Sequence, residues 1–162
     1  MDDVEIRQAA VADSQQLAAL DATSWPAHLQ VSPPQGADQP FFTTWRQPGD
    51  VIVAALTGVI QGYVRIGRHL QLPINDHVLH VQALVVAPDA RGTGLGSRLL
   101  TAAIEEARRR GVIKLGLRAL SNNPGAIRLY ARHGFAEEGR LKSEFRRPDG
   151  SYIDDVWMAL WP

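Results

Sequence analysis

Three alternating glycines, Gly92, Gly94 and Gly96, lie between an apolar strand pattern and an amphipathic helix pattern. Glycine adopts positive φ without steric cost and lets backbone N–H groups come close to a ligand. The N-terminus of the following helix adds unpaired N–H groups and the positive end of the helix dipole, which together attract an anion. The segment therefore predicts either a cradle for a diphosphate or a tight strand-to-helix turn with no ligand.

The spacing of these glycines argues against two common nucleotide loops. In a Walker loop the last glycine precedes Lys and then Ser or Thr, whereas Gly96 precedes Ser97 and Arg98. The Rossmann fingerprint has the spacing G-x-G-x-x-G in the first βα unit and an acid about 20 residues further on. The loop in this chain is G-x-G-x-G and lies in the middle of the sequence. Neither a nucleoside triphosphatase nor a Rossmann dinucleotide site is expected.

Two further side chains could move protons. Tyr130 lies on a predicted helix, and a phenol with a pKa near ~10 is protonated at neutral pH and can donate to a leaving group. His80 lies on a predicted strand, on the same face as Gln82, and an imidazole can accept a proton directly or through water. Each residue also has a purely structural interpretation, as a core tyrosine and as a structural histidine. Glu144 is a weaker candidate for the base.

The elements that must position these residues alternate along the chain. Apolar runs predict the strands, which are Val4–Arg7, Val51–Leu56, Val59–Ile66, Val78–Val86, Ile113–Leu117 and two strands flanking Pro148-Asp149-Gly150. Helices are predicted after a capping box of Asp13 and Gln16, from about Leu95 to Arg110, and from Asn123-Pro124 to Gly134. The order β-α-loop-β-β-β-α-β-α-β-β predicts an α/β fold with a mixed central sheet flanked by helices.

One long segment has no clear element. Residues 22–50 contain five prolines, Pro26, Pro33, Pro34, Pro40 and Pro48, interleaved with Phe41, Phe42 and Trp45. Loops of this length in compact domains are usually functional or disordered. The aromatic residues favour a packed lid.

Length and composition limit the classes of protein that remain. The 162 residues fit a single domain spanning 1–162, and the absence of cysteine excludes disulfides, thiolate metal ligands and a cysteine nucleophile. Seventeen basic residues balance seventeen acidic ones, so no whole-molecule field favours nucleic acid or a membrane surface. The acidic N-terminal segment and the lack of a long apolar run predict neither a signal peptide nor a membrane span. A cytoplasmic location and no metal are expected.

Two motifs together resemble the GNAT superfamily of N-acetyltransferases. The first is Arg91-Gly92-Thr93-Gly94-Leu95-Gly96, which resembles the Arg/Gln-x-x-Gly-x-Gly/Ala signature. The second is Asn123-x-x-Ala126-x-x-Leu129-Tyr130-x-x-x-Gly134-Phe135, which resembles the Asn…Leu-Tyr…Gly-Phe segment. The element order agrees over nearly the whole chain, with residues 22–50 the least constrained part. The ending from Gly139 to Asp154 resembles bacterial members near small-molecule and amino-acid acetyltransferases.

The resemblance implies a site for acetyl-CoA as co-substrate. Backbone groups of the central strand would bind the pantetheine arm as an added strand, the glycine loop would bind the pyrophosphate, and Asn123 would contact the pantetheine or simply cap its helix. Tyr130 would be the general acid. The implied CoA-binding residues are Leu84, Val85, Val86, Arg91, Gly92, Thr93, Gly94, Leu95, Gly96, Ser97, Asn123 and Tyr130. The resemblance does not supply the base, because Arg118 stands where some relatives have a glutamate.

Three functions are compatible with these residues. The leading hypothesis is transfer of an acetyl group from acetyl-CoA to the primary amine of a small molecule by direct attack, with Tyr130 and His80 as catalytic residues. The alternatives are a protein N-terminal or lysine acetyltransferase and a non-catalytic acyl-CoA sensor, which the missing glutamate leaves open. The expected partner is a small-molecule amine, and a homodimer is compatible with the sequence.

The resemblance implies that the C-terminal hairpin and the loop 22–50 flank the acceptor site, and the acids of the chain are densest near this hairpin. These acids are Glu137, Glu138, Glu144, Asp154 and Asp155. Alternation along the last strand puts Tyr152, Val156, Met158 and Leu160 on the face of Asp154, which predicts a core face and leaves Asp155 freer to meet solvent or acceptor. A merely solubilising role for the acids is equally compatible.

Overall fold

The structure is a computed structural model that describes residues 4–30 and 36–162, and its elements follow the predicted order. Pro33 and Pro34 of the predicted loop lie outside the described residues. The strands are β1 (Val4–Gln8), β2 (Val51–Leu56), β3 (Val59–Gly67), β4 (Val78–Val86), β5 (Lys114–Leu120), β6 (Ala136–Arg146) and β7 (Tyr152–Leu160). The helices are α1 (Ser14–Ser24), α2 (Leu95–Arg109) and α3 (Pro124–Arg132).

The strands pair as a mixed seven-stranded sheet in the order β1-β2-β3-β4-β5-β7-β6. β4 and β5 pair in parallel, while β1 with β2, β2 with β3, β5 with β7 and β6 with β7 pair antiparallel. A parallel pair requires a crossover connection, which α2 supplies between β4 and β5. The predicted α/β fold with a mixed sheet flanked by helices is confirmed.

The chain divides into two compact units. The first comprises Met1–Gly67 and Gln82–Ala103, and the second comprises Arg68–Val81 and Ile104–Pro162. The assignment of residues 1–162 to one domain stays a prediction. In the described part of the chain, no helix has both the length and the apolar character that crossing a bilayer requires.

The core of the first unit includes a residue of the long loop, and contacts beside it correct one expectation. Phe41 is only 2% exposed and packs edge-on against Tyr63, with ring centroids 5.2 Å apart. Phe41 is therefore a core residue, as a packed segment requires, whereas Trp45 is 84% exposed. The capping box is also wrong: the Asp13 carboxylate accepts the Ala10 N–H at 2.8 Å and pairs with Arg7 at 2.7 Å.

The second unit contains the predicted helix start. Asn123 Oδ1 accepts the Ala126 N–H at 3.2 Å, and Pro124 occupies the first helical turn. The Asn123 N-cap is confirmed, and it fixes the beginning of the helix that carries Tyr130. On β7, however, Tyr152 is exposed and not part of a core.

Candidate functional site

The glycine turn before α2 is an open surface formed by backbone. Gly92 and Gly94 have φ of 75° and 86°, a region that side-chain-bearing residues rarely adopt. A Cβ added to either residue would meet nothing within 4 Å, so the space beside the turn is free. α2 begins directly afterwards at Leu95, where its first N–H groups have no partner within the helix. The geometry fits the binding of a diphosphate.

Hydrogen bonds within the first unit hold this turn in place. Thr93 Oγ1 donates to the Ala90 carbonyl at 2.7 Å, and Arg91 Nε donates to the Val86 carbonyl at 3.2 Å. Arg91 Nη2 also donates to the Ser24 carbonyl. The Arg91 side chain therefore ties the turn to β4 and α1, and its predicted contact with CoA stays a prediction.

Tyr130 is buried in the second unit. It is 9% exposed, and its ring centroid lies 6.1 Å from that of Phe135. Burial raises the pKa of the Tyr130 phenol to about 12. The hydroxyl is consequently protonated throughout the physiological range and can donate a hydrogen bond.

His80 lies flat against a neighbouring strand. A Cβ added to Gly116 of β5 would come within 2.7 Å of His80 Cε1, so only glycine leaves room for the imidazole there. The His80 ring centroid lies 5.1 Å from that of His69 and 6.0 Å from that of Trp157. Burial lowers the pKa of His80 to about 4, helped by the neighbouring His69, Lys114 and Arg118 and opposed by Glu138. The imidazole is neutral at pH 7.

An ion pair lies on the same side of the sheet. Asp155 is 1% exposed, and its Oδ2 accepts hydrogen bonds from Arg118 Nε at 2.7 Å, Arg118 Nη2 and Trp157 Nε1 at 3.1 Å. The Arg118 guanidinium carbon lies 4.7 Å above the Trp157 ring centroid. The expectation that Asp155 is free to meet an acceptor is wrong, because Arg118 and Trp157 bury and neutralise it. Sequence reasoning missed Trp157, which carries no local signal.

Other acids near the C-terminal hairpin are also paired. Glu138 pairs with Lys114 at 2.7 Å, and Glu137 pairs with Arg140 at 3.2 Å. Asp154 accepts the Ser143 N–H at 2.9 Å and lies 3.5 Å from Arg140. These pairs compensate Glu137, Glu138 and Asp154, whereas the exposed Glu144 forms no ion pair with the described residues.

A family model and several known proteins match this chain. Residues 15–135 match the model described as "Acetyltransferase (GNAT) family". The L-methionine sulfoximine/L-methionine sulfone acetyltransferase of Pseudomonas aeruginosa is 32% identical over 122 residues, which are 74% of this chain and 69% of that protein. The [ribosomal protein bS18]-alanine N-acetyltransferase of Escherichia coli is 38% identical over 77 residues, or 48% of this chain and 51% of that protein.

The remaining matches differ in how much of each matched protein they cover. The first curated relatives are matched over only 44%, 30% and 54% of their own lengths. A solved structure of the putative acetyltransferase yncA from Salmonella typhimurium with acetyl-CoA aligns with a TM-score of 0.85 at 24% identity, covering 98% of this chain and 93% of that one. At this identity the likeness shows the fold.

Proposed function

Because this chain belongs to the acetyltransferase (GNAT) family, we propose that it transfers the acetyl group of acetyl-CoA to the primary amine of a small molecule. The observation that carries the proposal is the open glycine turn at the start of α2, where Gly92 and Gly94 hold positive φ beside free space. Such a turn lets several backbone N–H groups point at one diphosphate.

The chain's own backbone would hold the co-substrate. N–H groups from Gly92 to Ser97 would bind the pyrophosphate, and backbone groups of Leu84, Val85 and Val86 would pair with the pantetheine arm. Asn123 would contact the pantetheine beyond its role as N-cap. When bound, acetyl-CoA supplies a thioester carbonyl that an amine can attack and a thiol that can leave.

Tyr130 is proposed as the hydrogen-bond donor to the leaving sulfur. With its pKa raised to about 12 by burial, the phenol keeps its proton until charge develops on the sulfur. Complete transfer to a thiolate of ordinary pKa, ~8.5, would be uphill by roughly 3–4 units, or about 5 kcal/mol. Tyr130 Oη therefore stabilises the departing charge mainly by donating a hydrogen bond, while the proton stays closer to the phenol.

His80 is proposed to orient the amine. Its pKa of about 4 keeps the imidazole neutral and able to accept a hydrogen bond from an N–H group. An alkylammonium has a pKa near ~10.4, far above the pKa of His80, so a proton passed from the ammonium to His80 would return to the amine. The amine is accordingly expected to react from its neutral fraction, with His80 holding the nitrogen lone pair toward the carbonyl.

Acetylation of a protein N-terminus is the second candidate function. The similarity to an E. coli enzyme named for the alanine of ribosomal protein bS18 favours it. The similarity to a Pseudomonas enzyme named for two methionine derivatives favours a small acceptor. The two candidates differ in one testable respect, because a peptide N-terminus carries an amide where a free amino acid carries a carboxylate.

Acetyl transfer is tested by following thiol release from acetyl-CoA with amino acids, polyamines, aminoglycosides and short peptides as acceptors. Gly94→Val should abolish most CoA binding, measured by calorimetry, because a branched side chain fills the space beside the turn. Gly150→Val is the matched control, since Gly150 has φ of 84° and equally open surroundings at a hairpin. Tyr130→Phe should keep CoA binding and lower kcat by about 100-fold. Equal CoA affinity in both glycine variants would refute the cradle.

A further inference from the structure

Two histidine rings of the second unit lie side by side. The ring centroids of His69 and His80 are 5.1 Å apart, and the ring planes are inclined by 35°, so the rings do not form a parallel stack. Neither imidazole has a hydrogen bond to any residue in the described ranges 4–30 and 36–162. A neutral imidazole has one nitrogen that donates a hydrogen bond and one that accepts. The pair therefore has hydrogen-bonding capacity that the described residues leave unused.

A tryptophan of the same unit holds both rings in place. Trp157 packs edge-on against the two imidazoles, with its ring centroid 5.3 Å from that of His69 and 6.0 Å from that of His80. The Trp157 indole N–H donates to Asp155 at 3.1 Å, and the Arg118 guanidinium carbon lies 4.7 Å above the Trp157 ring centroid. These two contacts fix the indole, which in turn limits the orientations of the imidazoles.

The nitrogens of His80 are not directed at the neighbouring strand. A Cβ built on Gly116 of β5 would lie 2.7 Å from Cε1, 2.9 Å from Nε2 and 3.0 Å from Nδ1 of His80. Three such similar distances place that Cβ over the face of the ring and not at its edge, where the nitrogens form hydrogen bonds. His80 is half-buried and His69 is exposed, so a small molecule can reach both rings from solvent.

The charges around His80 favour a ligand that carries no positive charge. Lys114 and Arg118 act on His80 as nearby cations, and Glu138 opposes them. Glu138 is already paired with Lys114 at 2.7 Å, and Asp155 is paired with Arg118. An alkylammonium would therefore meet two cations whose acidic neighbours are already bonded. A neutral hydrogen-bond donor avoids this cost.

We propose that His69 and His80 together bind the –NH2 group of the acceptor, with one nitrogen of each ring accepting one N–H. The inference rests on the proposed acetyl transfer and adds His69 as a residue that selects primary amines. Because a hydrogen bond spans about 3 Å, centroids 5.1 Å apart allow one amine nitrogen to reach both rings. Binding both N–H groups leaves the nitrogen lone pair free of hydrogen bonds. A secondary amine has a single N–H and carries a carbon where the second imidazole would bind.

The kinetic test compares primary amines with their N-methyl derivatives, which have one N–H fewer. The measured quantity is the ratio of kcat/KM for the primary over the secondary amine, with benzylamine and N-methylbenzylamine and with L-methionine and N-methyl-L-methionine. We expect His69→Phe to lower this ratio by about 10-fold, the order of magnitude for one hydrogen bond, chiefly by raising KM for the primary amine. Phenylalanine keeps a ring beside Trp157 and lacks the accepting nitrogen.

Two further variants separate hydrogen bonding from packing. His69→Gln loses the ring but keeps an accepting oxygen, so it should retain part of the preference for primary amines. His77→Phe, at an exposed histidine of the same unit, should behave as wild type. Thermal unfolding of all three variants, in which His69→Phe should match the wild type, excludes unfolding as the cause of a lost preference.

Binding without turnover is followed by 15N NMR of the imidazoles in the CoA-loaded protein. The measurement is made at about pH 9, where more of an amine with a pKa near ~10.4 is neutral than at pH 7. We expect benzylamine and L-methionine each to shift one ring nitrogen of His69 and one of His80. The N-methyl derivatives should shift a nitrogen of only one of the two rings.

Each outcome decides a different point. A ratio of kcat/KM that His69→Phe leaves unchanged overturns the inference while acetyl transfer stands. A ratio that falls equally in His69→Phe and His69→Gln assigns His69 to packing and also overturns it. Spectra in which neither primary amine shifts a His69 nitrogen do the same. Failure to acetylate any amine refutes the proposed function, and the NMR comparison then still decides whether both imidazoles bind the –NH2 group.

Discussion

Two aspartates, one in each compact unit, accept a hydrogen bond from a tryptophan indole. Asp155 accepts from Trp157 at 3.1 Å, and Asp21 accepts from Trp25 at 2.9 Å. The two sites differ in the second donor. In the second unit this donor is the guanidinium of Arg118, whereas in the first unit it is the phenol of Tyr63.

This difference determines where charge is left uncompensated. The carboxylate of Asp155 and the guanidinium of Arg118 neutralise each other, so their arrangement is complete within the protein. Asp21 bonds to a neutral phenol, and the cation beside it, Arg65, is left without a bonded partner. A completed pair contributes to the folded structure, whereas the Arg65 guanidinium gains only the through-space attraction of Asp21 and Asp50. The predictions below test this contrast.

Breaking the complete pair should have the largest effect on stability. Asp155→Ala would leave the Arg118 guanidinium and the Trp157 N–H without their acceptor, and we expect a loss of about 3 kcal/mol in the free energy of unfolding. The value lies at the low end for buried pairs because the Arg118 side chain is 40% exposed and can be rehydrated. Asp154→Ala is the control, since Asp154 is partly exposed and should cost less than about 1 kcal/mol. Urea denaturation measures both, and equal losses would contradict the contrast.

Removing the two arginines should affect stability unequally. Arg118→Gln should destabilise the protein by about 2 kcal/mol, because Asp155 would be left buried and short of donors. Arg65→Gln should change stability by less than about 0.5 kcal/mol or increase it, because it removes a desolvated cation without breaking a bond. Thermal and urea unfolding of both variants give the comparison. A large loss for Arg65→Gln would mean that this arginine has a structural partner.

Tyr63→Phe should free the Asp21 carboxylate to form an ion pair with Arg65. Without the phenol, Asp21 can turn toward Arg65 and form the ion pair that the Tyr63 hydrogen bond now replaces. The lost hydrogen bond should cost about 1 kcal/mol of stability. Tyr152→Phe, at an exposed tyrosine, is the control in urea unfolding. Equal free energies of unfolding for Tyr63→Phe and Tyr152→Phe would mean that the bond from Tyr63 to Asp21 contributes nothing to stability.

The smallest effect concerns pH and His80. The pKa of His80 is lowered from 6.5 to about 4 in the folded protein. Between these two pH values the unfolded chain therefore binds the proton more readily than the folded protein does. Stability should therefore fall as pH decreases from about 6.5 toward 4, by about 1 kcal/mol or less for a half-exposed group. His80→Gln should flatten this dependence, whereas His77→Gln, at an exposed histidine, should not. Unfolding at about pH 7 and pH 5 provides the measurement.

The sequence predicted the features that depend on nearby residues. The order of elements, the N-cap at Asn123 and the glycine turn at residues 92–96 all follow from patterns within about one helical turn or one strand. The same patterns identified the family, because its motifs occur in these local segments. The capping box at Asp13 failed for a related reason: its carboxylate has a partner, Arg7, outside the helix that the local rule considers.

Tertiary structure alone decided which polar groups are compensated. Alternation along β7 placed Asp154 and Asp155 on opposite faces, yet only the register with β5 revealed that Arg118 faces Trp157 and binds Asp155. Likewise, Asp21 and Tyr63 are 42 residues apart, and no local pattern indicates that their hydrogen bond leaves Arg65 without a partner. Local backbone geometry depends on near neighbours in the chain and can therefore be predicted from the sequence. The pairing of charges depends on strand register and packing between distant segments, which only the folded chain defines.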